Sequence, residues 1–414
     1  MSTDSKRLAG TAWLIVALLF PVALLNYLDR QMIAAMKMSV MRDLTSIGSD
    51  ANWGYMLGLF KWVYAGLSPL GGYVADRFSR KHVVIGSLAV WSLVTLATGH
   101  VTNYSQLLAA RSLMGISEAF YFPAALALIS DFHAGSTRSR AVGIHQIGIY
   151  LGVITGGFSG YVAQSDAFGW RFAFNACGFA GIAYALPLLL CLRNASSATG
   201  REDEPRISPG KAFSELLSNG AFLLLVLYFT LPAIAGWVVR DWMPAILQRQ
   251  FNITQGIAGV SATLYVNIAA IGGAIFGGWL ADRWMRVRER GRIYVSALGI
   301  AMIIPALFGI GHASALLVAI GFLVLFGLGW GFFDCNNMPI LCQITRPGLR
   351  ATGYGIMNFV SISIGGLADW HFGAMRDRNV PLSDVFGFFA AAAVLSLVVV
   401  LCLRPRQIGN EANS

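Results

Sequence analysis

Asp29, Arg30, Arg111 and Glu118 stand inside stretches that are otherwise almost wholly apolar. Charge in such surroundings is expensive and is kept where it works. Arg111 and Glu118 are two helical turns apart and share one helix face. Asp29 and Arg30 are adjacent and point to different faces, so one can face a pathway while the other reaches a neighbouring helix. Burial favours the neutral form of a carboxylic acid and a nearby guanidinium opposes it, so breaking such a pair moves a proton. Asp29, Glu118 and Arg111 are therefore the candidate proton-coupling set. The competing reading is a static ion-pair network that holds helices together.

Other polar residues in apolar stretches are candidate substrate contacts. Lys61 offers a further cation or a partner for a carboxylate. Tyr64, Tyr121, His145, Gln146, Asn336, Asn337 and Asn358 offer hydroxyl, imidazole or amide groups of the kind a polyhydroxy substrate needs. For any one of them an interhelical hydrogen bond is the plainer role, and His145 alone is more often a packing residue than a proton relay. The run Asp334-Cys335-Asn336-Asn337 is denser in polar groups than helix packing requires.

The elements that must position these residues follow from composition. The 414-residue chain is 56% hydrophobic and 12% charged; soluble proteins average about 25% charged. Such a chain cannot cover itself in water, so it faces lipid. Apolar spans fall near 11–37, 52–77, 82–100, 104–132, 137–163 and 168–193, then near 220–248, 256–284, 291–311, 314–344, 349–376 and 382–404. The runs are continuous rather than alternating, which predicts an all-α membrane protein and excludes a strand barrel. The first span is too long for a cleavable leader and carries Asp29 and Arg30, so it reads as retained.

Lys and Arg crowd the loops on the side of the termini (Arg77, Arg80, Lys81, Arg283, Arg286, Arg288), while the opposite side holds few, such as Lys37, Arg42 and Arg249. Both termini are expected in the cytoplasm, and the net charge of +10 is a topology signal rather than a nucleic-acid patch. The five cysteines lack metal-ligand spacing. Glycines of the fifth span (Gly152, Gly156, Gly157, Gly160) and eighth (Gly272, Gly273, Gly277, Gly278) have the small-residue spacing that lets helices approach. They form no nucleotide loop, and no nucleophile triad or metal cluster is visible, so neither an enzyme nor a cofactor is expected.

The polar segment 194–218 separates two halves, which gives domains at 1–193 and 219–414 with a cytoplasmic linker between them. The halves echo one another. Gly72-Tyr-Val-Ala-Asp76-Arg77 returns as Gly278-Trp-Leu-Ala-Asp282-Arg283, Glu118 and Pro123 return as Asp334 and Pro339, and Arg140-Ala-Val-Gly143 returns as Arg350-Ala-Thr-Gly353. Two pseudo-symmetric bundles of six helices, about twelve in all, are how transporters place a site at the midplane.

The stretch from Gly72 to Lys81, with Asp76, Arg77 and Arg80, resembles the loop signature of the major facilitator superfamily, over residues 11–405. The resemblance implies a monomer that works by alternating access, with Gly72, Asp76, Arg77, Arg80, Lys81, Asp282 and Arg283 as a cytoplasmic gate. Asn26-Tyr-Leu-Asp29-Arg30, Phe60-Lys61-Trp62-Val63-Tyr64 and Arg111-Ser-Leu-Met-Gly115-Ile-Ser-Glu118 are similar to the anion:cation symporter branch. That implies proton coupling at Asp29 and Glu118 and substrate contact at Arg30; Lys61 is unusual for the branch. Arg240-Asp241-Trp242 resembles the glutamate carriers, which implies a second arginine facing the same carboxylate; an Arg240 that snorkels to the interface is the alternative. The first expectation is proton-coupled symport of an organic anion such as a sugar acid, in a bacterial inner membrane, with sodium coupling open. The second is a Spinster-like carrier of lysolipids, which also has Asn-Tyr-Leu-Asp-Arg in its first helix. The third is a membrane receptor or signalling subunit on a transporter scaffold, against which the linker and tails read as too short for an output domain.

Overall fold

The computed structural model describes residues 3–133, 137–194, 209–346 and 349–404, and among them every regular element is a helix. The first half runs α1 (Thr3–Ala35), α2 (Lys37–Asp43), α3 (Asp50–Arg77), α4 (Arg80–Thr98), α5 (Tyr104–Glu118), α6 (Tyr121–Phe132), α7 (Arg138–Gly157), α8 (Ser159–Gln164) and α9 (Gly169–Cys191). The second runs α10 (Pro209–Leu217), α11 (Gly220–Phe251), α12 (Gln255–Met285), α13 (Gly291–His312), α14 (Leu316–Ile344), α15 (Arg350–Asp377) and α16 (Leu382–Cys402). Of the expected linker 194–218, residues 195–208 lie outside the described residues, and the remainder is largely α10.

Ten segments among the described residues are long and apolar enough to cross a membrane. The other two expected spans, α3 and α15, are 28 residues each, or about 42 Å at the α-helical rise. They have the length but are more polar, because they carry Lys61 and Asp369 among their inward-facing residues.

Two expected spans are broken. Pro123 has no N–H to offer the carbonyl of Ala119 four residues back, so α5 ends at Glu118 and α6 begins at Tyr121. A side chain at Gly71 of α3 would collide with that same Ala119 carbonyl oxygen. The glycine therefore lets α3 lie against the bend that carries Glu118. The fifth span breaks at Phe158, between α7 and α8.

Small residues do bring helices together, but not all of those singled out. Cβ atoms at Gly152 and Gly156 would strike α1 at Leu24 and Gln31, and in α12 those at Gly273 and Gly277 would strike α14 at Leu328 and Phe332. Among the described residues, nothing lies within 4 Å of a Cβ built on Gly272 or Gly278.

The chain divides into two compact units. The first is Met1–Arg201 with Val239–Leu264 and Asp369–Asp377; the second is Glu202–Val238, Tyr265–Ala368 and Arg378–Ser414. One end each of α11, α12 and α15 thus packs with the helices of the first half. The first unit holds a core of Val16, Leu19, Leu88, Trp91, Tyr121 and Leu128, among others. In the second, Ala281, Val295 and Phe332 pack together.

Candidate functional site

The centre of the first unit is built by α1, α3, α4 and α5. The Arg30 Nε donates to Glu118 Oε2 at 2.5 Å, joining α1 to the bend after α5. The guanidinium of Arg30 lies 4.9 Å from the Tyr27 ring centre, 5.1 Å from Phe60 and 4.7 Å from Tyr64, so the cation sits in an aromatic cage. Asp29, fully buried, accepts from Thr95 Oγ1 of α4 and points away from Arg30, as adjacency on a helix requires. Glu118 Oε1 and Asp29 Oδ1 have no hydrogen-bond partner among the described residues.

Arg111 is buried over the Phe60 ring at 4.6 Å and donates to Met114 Sδ. Among the described residues it makes no ion pair, so the face it shares with Glu118 does not become a contact between them. Its field nevertheless reaches Asp29, Glu118 and Asp241. Arg240 lies in the first unit, half-buried, with its guanidinium 5.8 Å from the Tyr27 ring centre. Its carbonyl accepts from Gln31 Nε2 at 3.2 Å. Arg30 and Arg240 therefore both address Tyr27.

A second ionic cluster joins α3 to α11 and α15. Lys61 Nζ pairs with Asp241 Oδ2 at 2.5 Å and also with Asp369 Oδ2. All three residues are buried, Asp369 completely. A Cβ on Gly54 would strike the Asp369 carbonyl, so a glycine on α3 is what brings α15 close enough for the contact.

A third cluster closes the end of the first unit where α3 begins. Asp50 receives Lys37 Nζ at 2.6 Å and Arg249 Nη1 at 2.5 Å. The Asp50 and Ala51 amides donate to the two oxygens of Asp377 at 2.9 and 2.8 Å, which caps the α3 N-terminus with a carboxylate from α15.

The remaining candidates are distributed. Tyr121 lies in the packed core, and its hydroxyl bonds His145 Nε2 at 2.9 Å, so the two serve each other. Gln146 is half-buried on α7. In the second unit Asn336 Nδ2 turns back to the Phe332 carbonyl at 3.0 Å, while both side-chain polar atoms of the buried Asn337 have no partner among the described residues. Asp334 is exposed and Asn358 half-buried.

Of the gate motif, Gly72 is half-buried with open space around a Cβ, and the Asp76 side chain lies outside the described residues. Arg77 donates to Tyr73 Oη, Arg80 pairs with Asp131 of α6, and Lys81 Nζ donates to the Leu189 carbonyl. Asp282 pairs with Arg292, and the Arg283 guanidinium is 6.0 Å from the Trp279 ring centre.

Residues 19–368 match the family described as Major Facilitator Superfamily. The chain belongs to that superfamily. Among proteins similar to this transporter is protein spinster homolog 1 of Xenopus tropicalis, 26% identical over 95% of this chain and 78% of that one. The human protein of the same name is 32% identical, over 58% of this chain and 46% of its own length. An MFS-type efflux pump of Mycolicibacterium smegmatis is 26% identical over 94% of this chain and 89% of that one. Two solved structures share the fold. One is a bacterial homologue of the human lysosomal transporter Spinster in an inward-facing, unoccupied conformation, with a TM-score of 0.76, 21% identity and coverage of 94% of this chain and 95% of that one. The other is a D-xylose-proton symporter, with a TM-score of 0.77, 16% identity and coverage of 96% and 98%.

Sequence reasoning missed Asp369, and it treated Asp241 only as the neighbour of Arg240. The signal for Asp369 was present: it is a carboxylate inside the eleventh expected span, the feature that singled out Asp29 and Glu118. The Lys37, Asp50, Arg249 and Asp377 cluster had no such signal, since each is an ordinary charge at a span end.

Proposed function

We propose that this major facilitator transporter is a proton-coupled carrier of the Spinster type that moves an anionic amphiphile of the lysolipid class by alternating access. The observation that carries the reading is the aromatic cage around Arg30 and its contact with Glu118. An anionic headgroup suits the two guanidinium groups that address Tyr27, and an apolar body suits walls of Tyr27, Phe60 and Tyr64. Two of the groups a polyol would use are engaged elsewhere: Tyr121 with His145, and Asn336 with its own helix. Similarity to Spinster homologues over most of the chain supports the same choice over a sugar acid.

Coupling follows from competition for Arg30. With Glu118 ionised, Arg30 is held at 2.5 Å. A proton on Glu118 removes that attraction and frees the guanidinium for the substrate anion. Loss of the proton re-forms the pair and expels the substrate. Proton and anion therefore travel together. Asp29 and Arg111, buried beside this pair, set its field. With both termini in the cytoplasm of a bacterial cell, an inward proton gradient drives uptake.

The test is uptake into proteoliposomes of labelled lysophospholipid and of labelled galactonate or glucuronate, with an imposed proton gradient or a sodium gradient. Proton-stimulated movement of the lysolipid alone supports the proposal. Movement of a sugar acid alone replaces the substrate class, and stimulation by sodium alone replaces the coupling ion.

A further inference from the structure

Lys61 places one ammonium between two carboxylates, and the arithmetic of that cluster does not close. With every group ionised it carries one positive and two negative charges in a buried site. An uncompensated charge in such a place is costly. Neither Asp241 nor Asp369 has another cation within ion-pair distance among the described residues. The other charged group facing them is Arg111 of α5, which acts on Asp241 at longer range and is shared with Asp29 and Glu118. Arg240, next to Asp241 on α11, is turned toward Tyr27.

The hydrogen bonds are incomplete in the same place. Among the described residues Asp369 Oδ1 has no partner, although the residue is fully buried. The Asp241 and Asp369 carboxyl groups both meet the same Lys61 Nζ, which makes them close neighbours. Two ionised carboxylates are acceptors only, and cannot satisfy that approach; one protonated and one ionised carboxyl can. A single proton thus supplies the missing donor and the missing positive charge together.

We propose that Asp241 and Asp369 share one proton beside Lys61, so that the triad is a second proton-binding site of this transporter, occupied while α3, α11 and α15 are packed together. The placement gives the site a role. Asp241 and Asp369 fall at the start of the segments of α11 and α15 that join the first unit, Val239–Leu264 and Asp369–Asp377. Motion that draws those helix ends from α3 removes Lys61 from both acids and admits water between them. Hydrated and apart, the acids release the proton. Closing this end takes one proton up, and opening it gives one back, in addition to the proton on Glu118. The inference rests on transport by alternating access, but not on the substrate or on the competition for Arg30.

The test is infrared spectroscopy of the purified, substrate-free full chain, reading the C=O stretch of protonated carboxyl groups in difference spectra of wild type against variants. Asp369→Asn should remove the signal of one protonated carboxyl, because the remaining Asp241 and Lys61 balance. Asp241→Asn should remove the same signal for the same reason, and keeps the test open if the first variant fails to fold. Lys61→Met should add one protonated carboxyl, a gain that mere loss of packing does not produce. Unchanged spectra in both asparagine variants would overturn the proposal, as would a Lys61→Met spectrum without the gain. Failure of lysolipid uptake with this pattern intact would overturn the proposed substrate and leave the site standing.

Discussion

The Arg30–Glu118 pair and the Lys61–Asp241–Asp369 triad are both buried in the first unit, yet they are assembled differently. The pair joins α1 to α5, two helices of the first half, and pairs one cation with one acid. The triad joins α3 to the ends of α11 and α15, and gives one cation two acids. A pair inside one bundle can exchange its partner for a substrate without moving helices. A cluster that draws helices from both halves of the sequence is made and broken by helix motion itself. The first arrangement suits ligand exchange and the second suits the sensing of closure.

Variants sharpen this contrast in descending order of effect. Glu118→Gln should abolish proton-driven uptake while exchange of labelled substrate across proteoliposomes continues, because Arg30 then stays free for the anion. Loss of exchange as well would show that Glu118 also holds the site together. Lys61→Met should leave transport chemistry at Arg30 intact but lower stability by about 1–3 kcal/mol, because both acids are then neutral and buried without the ammonium that served as their donor. Denaturant unfolding in detergent measures it, and a loss under about 1 kcal/mol would mean that the triad holds little together.

Arg30→Lys should weaken substrate binding about tenfold, since an ammonium keeps the charge and loses the planar fork. Binding titration of the substrate-free protein checks this, and an unchanged affinity would take Arg30 out of the site. Arg249→Ala should cost less than about 1 kcal/mol and less still in high salt, because its pair with Asp50 is solvent-screened; the Arg249 side chain is 41% exposed. A cost as large as that of Lys61→Met would show that the ionic closure at the start of α3, rather than the triad, holds these helix ends.

Much of the architecture was legible in the residues themselves. A helix in lipid must satisfy its own backbone, so long continuous apolar runs have one solution, and the repeated Gly72–Arg77 and Gly278–Arg283 segments set the spans in two halves. The cost of intramembrane charge likewise pointed to Asp29, Arg30, Arg111 and Glu118 before any contact was known. Pro123 was visible, but not that its bend would present Glu118 to Arg30 across 88 positions of the chain. Partner choice was decided only by packing. Helical periodicity puts Arg111 and Glu118 on one face, but the shared face left Arg111 over Phe60 and gave Glu118 to Arg30. Lys61 found its acids 180 and 308 positions away, through the close approach that Gly54 allows. The sequence alone thus determined the membrane fold and which residues are costly to bury, because both depend on local composition. Which charge neutralises which depends on helices far apart in the chain meeting in space, and only the tertiary structure decided that.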